Sequence, residues 1–289
     1  MSLLEVRNLT YSYSKGTPFE KKALDDISFC VEKGEFIGII GHTGSGKSTL
    51  MQMLNGLLKP DNGQVLLEGR DITSDKKFTF EARFKVGLCF QYPEYQLFEE
   101  TVEKDISFGP KNMGLNSVDV AKRVYQAAEF VGIDKSLLQK SPFELSGGQK
   151  RRVAIAGVMA MLPEILILDE PAAGLDPVGC KEIMKMIDNY RTATNATVIM
   201  VTHNMDTAAK VSDRIFVLQD GKIPIMGTPK EVFSYADELI SIGLDVPAAT
   251  KITAELRSAG VDIPADIYTV DTLAEELTRY ANKVKGGAK

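Results

Sequence analysis

Cysteine is scarce in this chain, and its three copies, Cys30, Cys89 and Cys180, stand far apart. An odd number at wide spacing with no CxxC pair argues against structural zinc and against a disulfide framework, and fits a reducing cytosol. Long apolar runs are lacking as well. The longest nearly apolar stretch, residues 153–168, is broken by Pro163 and Glu164 and falls short of a membrane span. Met1-Ser2-Leu3-Leu4-Glu5 has neither the basic start nor the apolar run of a secretory signal, so none is expected. No charge sign dominates: 34 basic against 39 acidic residues leave a net charge of −5, which does not favour nucleic acid as a partner. Histidine occurs only as His42 and His203.

What is present is globular composition. The 289 residues, 44% apolar and 25% charged, suffice for one large domain, or for a main domain with a small appendage. Residues 3–7, 27–31, 36–40 and 64–67 are β-rich runs separated by Gly, Pro or Asp. From Ser117 the pattern changes, and Val120, Val124, Ala127, Ala128 and Val131 recur at helical spacing. The wholly apolar run 165–168 predicts a strand covered on both faces, and 197–201 and 215–218 repeat it. One helix between them opens with Asp176 as cap and Pro177 in its first turn. Buried strands alternating with helices predict an α/β fold with a mainly parallel sheet. After Gly227-Thr228-Pro229 the strands stop, and 251–259 and 272–283 have helical patterns. The expected division is a main domain over 1–228 and a small helical region over 229–289.

Gly41-His42-Thr43-Gly44-Ser45-Gly46-Lys47-Ser48-Thr49 fits the phosphate-loop pattern GxxxxGK(S/T). An apolar strand precedes it, and the helical pattern of Leu50, Met53, Leu54, Leu57 and Leu58 follows. Glycines let backbone N–H groups wrap a phosphate chain, and the helix N-terminus adds partial positive charge. Lys47 is expected on the β- and γ-phosphates and the Ser48 hydroxyl on Mg²⁺. The apolar run 165–168 ends in Asp169-Glu170, which places acid at the carboxyl end of a strand, where α/β proteins bind ligands. There Asp169 is expected to hold Mg²⁺ and Glu170 to polarise the attacking water.

Leu145-Ser146-Gly147-Gly148-Gln149 narrows the reading. With it the chain resembles the ATP-binding cassette (ABC) ATPases, whose signature is LSGGQ, over about residues 3–230. The family's other motifs follow in order. Gln91 matches the Q-loop, Ala173-Gly174-Leu175-Asp176 the D-loop and His203 the switch histidine. Tyr13, in preference to Tyr11, stands where the family places an adenine-stacking aromatic. The resemblance implies a mainly parallel core with an antiparallel β subdomain and a helical subdomain at about 100–160. It implies ATP and Mg²⁺ as ligands, with the nucleotide on Tyr13, residues 41–49, the Ser146, Gly147, Gly148 and Gln149 corner, and Asp176. The metal is implied on Ser48, Gln91 and Asp169, and catalysis on Glu170, His203, Gln91 and Lys47. Lys150, Arg151 and Arg152 put positive charge in the first turn of the helix starting near Gln149, which suits a nearby anion or carboxylates. In the family that anion is the γ-phosphate on the opposite subunit, so two cassettes sandwich two ATP molecules head to tail.

Gln91-Tyr92-Pro93-Glu94-Tyr95-Gln96-Leu97-Phe98-Glu99-Glu100-Thr101-Val102-Glu103, with Gly16-Thr17-Pro18-Phe19 and Gly41-His42-Thr43-Gly44, is similar to the energy-coupling factor (ECF) vitamin transporters, in particular the second of their two ATPase subunits. This resemblance implies a peripheral protein on the cytoplasmic face of the membrane. Its implied partners are a second ATPase subunit, homologous and non-identical, a transmembrane scaffold subunit and a substrate-binding membrane subunit. Two readings of Tyr92, Tyr95 and Phe98 stand: part of the core, or a docking surface for a membrane subunit. Rival functions are an importer ATPase for cobalt, nickel or amino acids, a soluble ABC ATPase acting on ribosomes or DNA, and an inactive cassette.

Overall fold

The computed structural model describes residues 2–286, so Met1 and residues 287–289 of the expected C-terminal region lie outside the described residues. In chain order the strands are β1 (Leu4–Tyr13), β2 (Lys21–Val31), β3 (Phe36–Ile40), β4 (Asn62–Leu67), β5 (Arg70–Asp71), β6 (Val86–Cys89), β7 (Ile165–Asp169), β8 (Thr197–Val201), β9 (Arg214–Gln219) and β10 (Lys222–Gly227). The helices are α1 (Lys47–Leu54), α2 (Lys76–Lys85), α3 (Val102–Asn112), α4 (Ser117–Phe130), α5 (Gly147–Met159), α6 (Pro177–Thr194), α7 (Met205–Val211), α8 (Pro229–Ser234), α9 (Ala236–Ser241), α10 (Ala248–Ser258) and α11 (Val270–Gly286). The chain divides into two compact units, one of residues 1–35 and 48–201, the other of 36–47 and 202–289.

The first unit holds an antiparallel sheet in the order β2-β1-β4-β5 and a parallel trio in which β7 pairs with β6 and β8. Ile165, Leu166, Ile167 and Leu168 have 0% exposure, so β7 is covered on both faces, as its uniform apolar run predicts. Helices connect the parallel strands: α5 precedes β7, and α6 carries the chain from β7 to β8. Asp176 caps α6 by accepting from the Gly179 N–H at 2.7 Å, with Pro177 in the first turn as expected. Between β6 and β7 lie α3, α4 and α5, the helical element of the fold. The α4 stripe of Val120, Val124, Ala127 and Ala128 is buried. Helix α1 stops at Leu54, earlier than its apolar pattern suggests, because Gly56 turns the chain at φ +72° and leaves Leu57 exposed.

The second unit orders its strands β10-β9-β3, with β3 and β9 parallel and β10 antiparallel. Its core joins Ile40, Ile215 and Val217 of the strands to Ala208 of α7 and Phe233 of α8. Helices α8 and α9 fill a stretch for which the sequence patterns named no element. Their signal was the pair Thr228 and Glu231, which form a capping box with Pro229 in the first turn. Helices α10 and α11 share a separate small core of Ala249, Ile263, Ile267 and Leu273.

Tyr190 of α6 is fully buried, and its hydroxyl donates to the Pro163 carbonyl at 3.0 Å. Its ring meets Phe130 edge to face. Tyr190→Phe keeps that ring contact but leaves a buried carbonyl unpaired. We expect a cost of about 1–2 kcal/mol, or roughly 3–6 °C in melting temperature for a chain of this size. Scanning calorimetry showing an unchanged transition would remove this hydrogen bond from the account of stability.

Candidate functional site

The phosphate loop follows β3 in the second unit. Its first glycine is set by close approach, since a Cβ on Gly41 would stand 2.2 Å from the Leu218 carbonyl oxygen on β9. Gly44 and Gly46 take φ values of +83° and +110°, which side chains rarely adopt. Between them Ser45 is fully buried, and its carbonyl accepts from the Gly221 N–H. His42 turns Nδ1 to the Thr43 carbonyl and Nε2 toward Asp220 at 3.6 Å, while Thr43 itself is exposed. Lys47 is buried, and its Nζ donates to the Gly41 and His42 carbonyls at 2.7 and 2.8 Å. The loop therefore holds its own lysine in place. His203 belongs to this unit and is exposed. Partial desolvation by the surrounding protein, and the charge of Lys47, push its pKa below the ordinary value of 6.5.

The first unit takes over at Ser48. The Ser48 hydroxyl donates to Asp169 Oδ2 at 3.2 Å, so the end of the phosphate loop and the acid end of β7 come together. A hydroxyl beside a carboxylate offers hard oxygen donors, which fit Mg²⁺, an ion that takes few protein ligands and completes its shell with phosphate and water. Thr49 is buried and shares a hydrogen bond of 3.1 Å with the Tyr13 hydroxyl. Tyr13 is 41% exposed and packs edge to face with Tyr11. Glu170 sits in left-handed backbone geometry at φ +51°, with its N–H on the Val201 carbonyl. Such strain in a non-glycine residue is tolerated where surroundings fix it, and it gathers at functional positions. Gln91 is exposed just past β6.

The Leu145 to Gln149 corner forms the start of α5. Ser146 caps the helix by accepting from the Gln149 N–H, and the Gln149 side chain accepts from the Ser146 N–H in return. The helix thus begins at Gly147, two residues before the expected start. A Cβ on Gly147 or Gly148 would meet nothing within 4 Å in this chain, so internal packing does not require glycine there. Asp176 is the α6 cap described above, exposed at the end of the Ala173 to Asp176 turn.

One expectation is met and one alternative falls. The basic first turn of α5 has a carboxylate beside it: Arg151 is buried and forks onto Glu94, Nε at 3.0 Å and Nη2 at 2.7 Å. The sequence signal for its burial was helical spacing, because Arg151 shares a stripe with the buried Ile155 and Met159. What falls is the core reading of the aromatic cluster. Tyr92 is 41%, Tyr95 84% and Phe98 59% exposed, so these rings are surface groups. Phe98 leans edge-on against Phe108, and with Leu97, Phe84 and Met161 it lines an apolar groove of about 380 Å³. Asp105 also lines that groove, accepting from the Phe98 and Glu99 N–H groups; burial raises its carboxyl pKa.

Among the described residues no helix is long and apolar enough to cross a membrane. The family model for ABC transporters matches residues 24–173. Among curated proteins, the chain is 54% identical over 98% of its length, and 99% of the relative's, to the energy-coupling factor transporter ATP-binding protein EcfA2 of Caldanaerobacter subterraneus subsp. tengcongensis. It is 52% identical, with the same coverage, to the protein of that name from Clostridium acetobutylicum. Among solved structures it is similar to cbiO1 from Clostridium perfringens, described as part of the ABC transporter complex cbiONQ, at 41% identity and a TM-score of 0.73, covering 83% of this chain and 94% of that one.

The depressed His203 pKa has a definite sign. Well above pH 6.5 folded and unfolded chains both hold a neutral imidazole. As the pH falls through that value the unfolded chain takes up a proton that the folded one resists, so this group lowers stability toward acid. NMR titration of the ring should place its midpoint below the ordinary value, and Lys47→Ala should move it upward. A midpoint indifferent to that substitution would eliminate Lys47 as a cause.

Proposed function

The chain belongs to the ABC transporter family of ATPases, and from that premise we propose that it is the ATP-hydrolysing cassette of an energy-coupling factor importer. The observation that carries the hydrolytic reading is the Ser48–Asp169 hydrogen bond beside Glu170. Likeness over nearly the whole chain to relatives named as energy-coupling factor ATP-binding proteins supports the transport reading. Vitamins or similar micronutrients are then the cargo, selected in another chain. The partners are a second, homologous ATPase, a transmembrane scaffold and a substrate-binding membrane protein, with this chain peripheral on the cytoplasmic face.

The chemistry is phosphoryl transfer to water, in which positioning and electrostatics supply most of the rate. Lys47 puts its charge on the β- and γ-phosphates, the N–H groups of residues 41–49 wrap the phosphate chain, and Tyr13 stacks on the adenine. Ser48 and Asp169, with Gln91, would hold Mg²⁺, which when bound neutralises charge between the β- and γ-phosphates. Glu170 orients the water and takes its proton as the bond to the γ-phosphorus forms and the bond to the ADP oxygen breaks. His203 hydrogen-bonds the γ-phosphate through a ring N–H. The open space at Gly147 and Gly148 supports their use by something outside this chain. We assign it to the γ-phosphate of ATP on the partner, received at the α5 N-terminus with Asp176 nearby in the sandwich.

Glu170→Gln should leave ATP affinity near wild type and nearly abolish turnover. ATP should then accumulate in a closed dimer, seen as a mass increase by light scattering. Near wild-type hydrolysis would strip Glu170 of its role. The apolar groove beside Leu97 and Phe98 supports docking of a helix end from a membrane subunit. Because Phe98 is exposed, replacing Leu97 and Phe98 by Ser should change the melting temperature little yet cut subunit assembly. A variant that melts and assembles normally would exclude this docking surface.

A further inference from the structure

The proposed chemistry leaves Arg151 without a task, although its guanidinium contacts groups on more than one of the segments involved. Its side chain is 4% exposed and that of Glu94 is 15% exposed. Besides the two-pronged contact with Glu94, Arg151 Nη1 donates to the Ala173 carbonyl at 2.6 Å and, at 3.4 Å, to that of Pro171. The guanidinium also lies 5.7 Å from the centre of the Tyr92 ring. Three segments therefore meet on one planar group: the turn after Gln91, the helix capped by Ser146, and the run from Glu170 to Asp176.

Stability alone is a weak reason for this arrangement. Taking two charges out of water is costly, and packed apolar residues of similar volume are often as stable or more so. What apolar residues cannot do is fix the direction of three segments at once, as a rigid fork with its nitrogens engaged does. Glu94 also has a particular place. It lies on the 3₁₀ turn Pro93–Gln96, where its neighbour Tyr95 points outward at 84% exposure. One residue of the turn is thus bonded inward, while Gln96 at the turn's end lines the groove assigned to docking. Burial alone would raise the Glu94 carboxyl pKa, yet the Arg151 contact holds it below the usual range, so the pair is charged at neutral pH.

We propose that Arg151, through Glu94, is a positioning residue that ties the docking turn to the Ser146 helix start and to the Glu170–Asp176 run, so that a docked membrane subunit sets the rate of ATP hydrolysis. This rests on the importer reading above. A displacement of the turn pulls on the guanidinium, and the guanidinium pulls on α5 and on the Ala173 carbonyl together. Side-chain slack cannot absorb that movement, because Nε and both terminal nitrogens are engaged.

The test compares ATP hydrolysis by the isolated chain with hydrolysis by the membrane complex that copurifies with it, reconstituted in phosphatidylglycerol vesicles. The double variant Glu94→Leu/Arg151→Met removes both charges and leaves neither one buried alone. We expect it to melt within roughly 3 °C of wild type, since apolar replacement of a buried pair is commonly neutral. In the complex its KM for ATP should stay within about twofold while kcat falls about tenfold or more, taking the stimulation by membrane subunits toward one. An unchanged stimulation ratio overturns the proposal, whether kcat is normal or falls equally in both preparations. A lowered melting temperature with normal stimulation of the folded fraction assigns the pair a structural role only, and overturns it too. If the double variant does not fold, Arg151→Lys, which keeps the charge but loses the fork, is measured the same way against the same outcomes. A wild-type complex that hydrolyses no faster than the isolated chain removes the importer reading, and the proposal with it, before any variant is made.

Discussion

Ile165, Leu166, Ile167 and Leu168 are wholly shut off from solvent, and β7 is hydrogen bonded along both edges by β6 and β8. A strand enclosed in this way can carry no chemistry along its length, so polar function is driven to its end. Asp169 closes the strand with its carboxylate on the Ser48 hydroxyl, and Glu170 takes the first position beyond the pairing. The left-handed backbone at Glu170 is a cost of that abrupt exit, restrained by its N–H on Val201. The segments that follow in the first unit are held close by: Arg151 donates to the carbonyls of Pro171 and Ala173, and Asp176 starts α6.

Glycine serves two separate purposes in the motifs. At Gly41 the backbone of β9 stands so close that a methyl group would overlap the Leu218 carbonyl, a requirement internal to the chain. At Gly147 and Gly148 the space is open, and the capping box of Ser146 and Gln149 would form with other residues between them. The absence of side chains there leaves open space at a helix start, the kind of place where anions are bound. One glycine requirement is thus met inside the protein, and the other faces outward.

The same contrast separates the charged residues. Lys150 and Arg152 are half-buried, whereas Arg151 between them is buried and turns inward to a carboxylate and two carbonyls. Tyr95 and Glu94, adjacent on one short turn, divide in the opposite sense. In both cases the outcome follows from which way a helical or 3₁₀ turn aims consecutive side chains, not from residue type.

Much was legible from the amino-acid order alone. The apolar run 165–168, the cap at Asp176, the phosphate loop and the LSGGQ corner each depend on residues close together in the chain, and local rules govern them: periodicity, capping and glycine geometry. The family followed from the order of those motifs. Two features were not legible, and a third was legible only as a metal site implied by the family resemblance. Whether Tyr92, Tyr95 and Phe98 lie inside or outside depends on what packs against their turn, and α5 takes up the inner side through Arg151. The Arg151–Glu94 pair joins residues on two distant segments, and nothing in either segment names the other. The hydroxyl of Ser48 finds Asp169 only because the intervening chain returns to lay β7 where the phosphate loop ends. Contacts between neighbours in sequence are set by the residues themselves, while contacts across long loops exist only once burial of the apolar strands has brought the segments together.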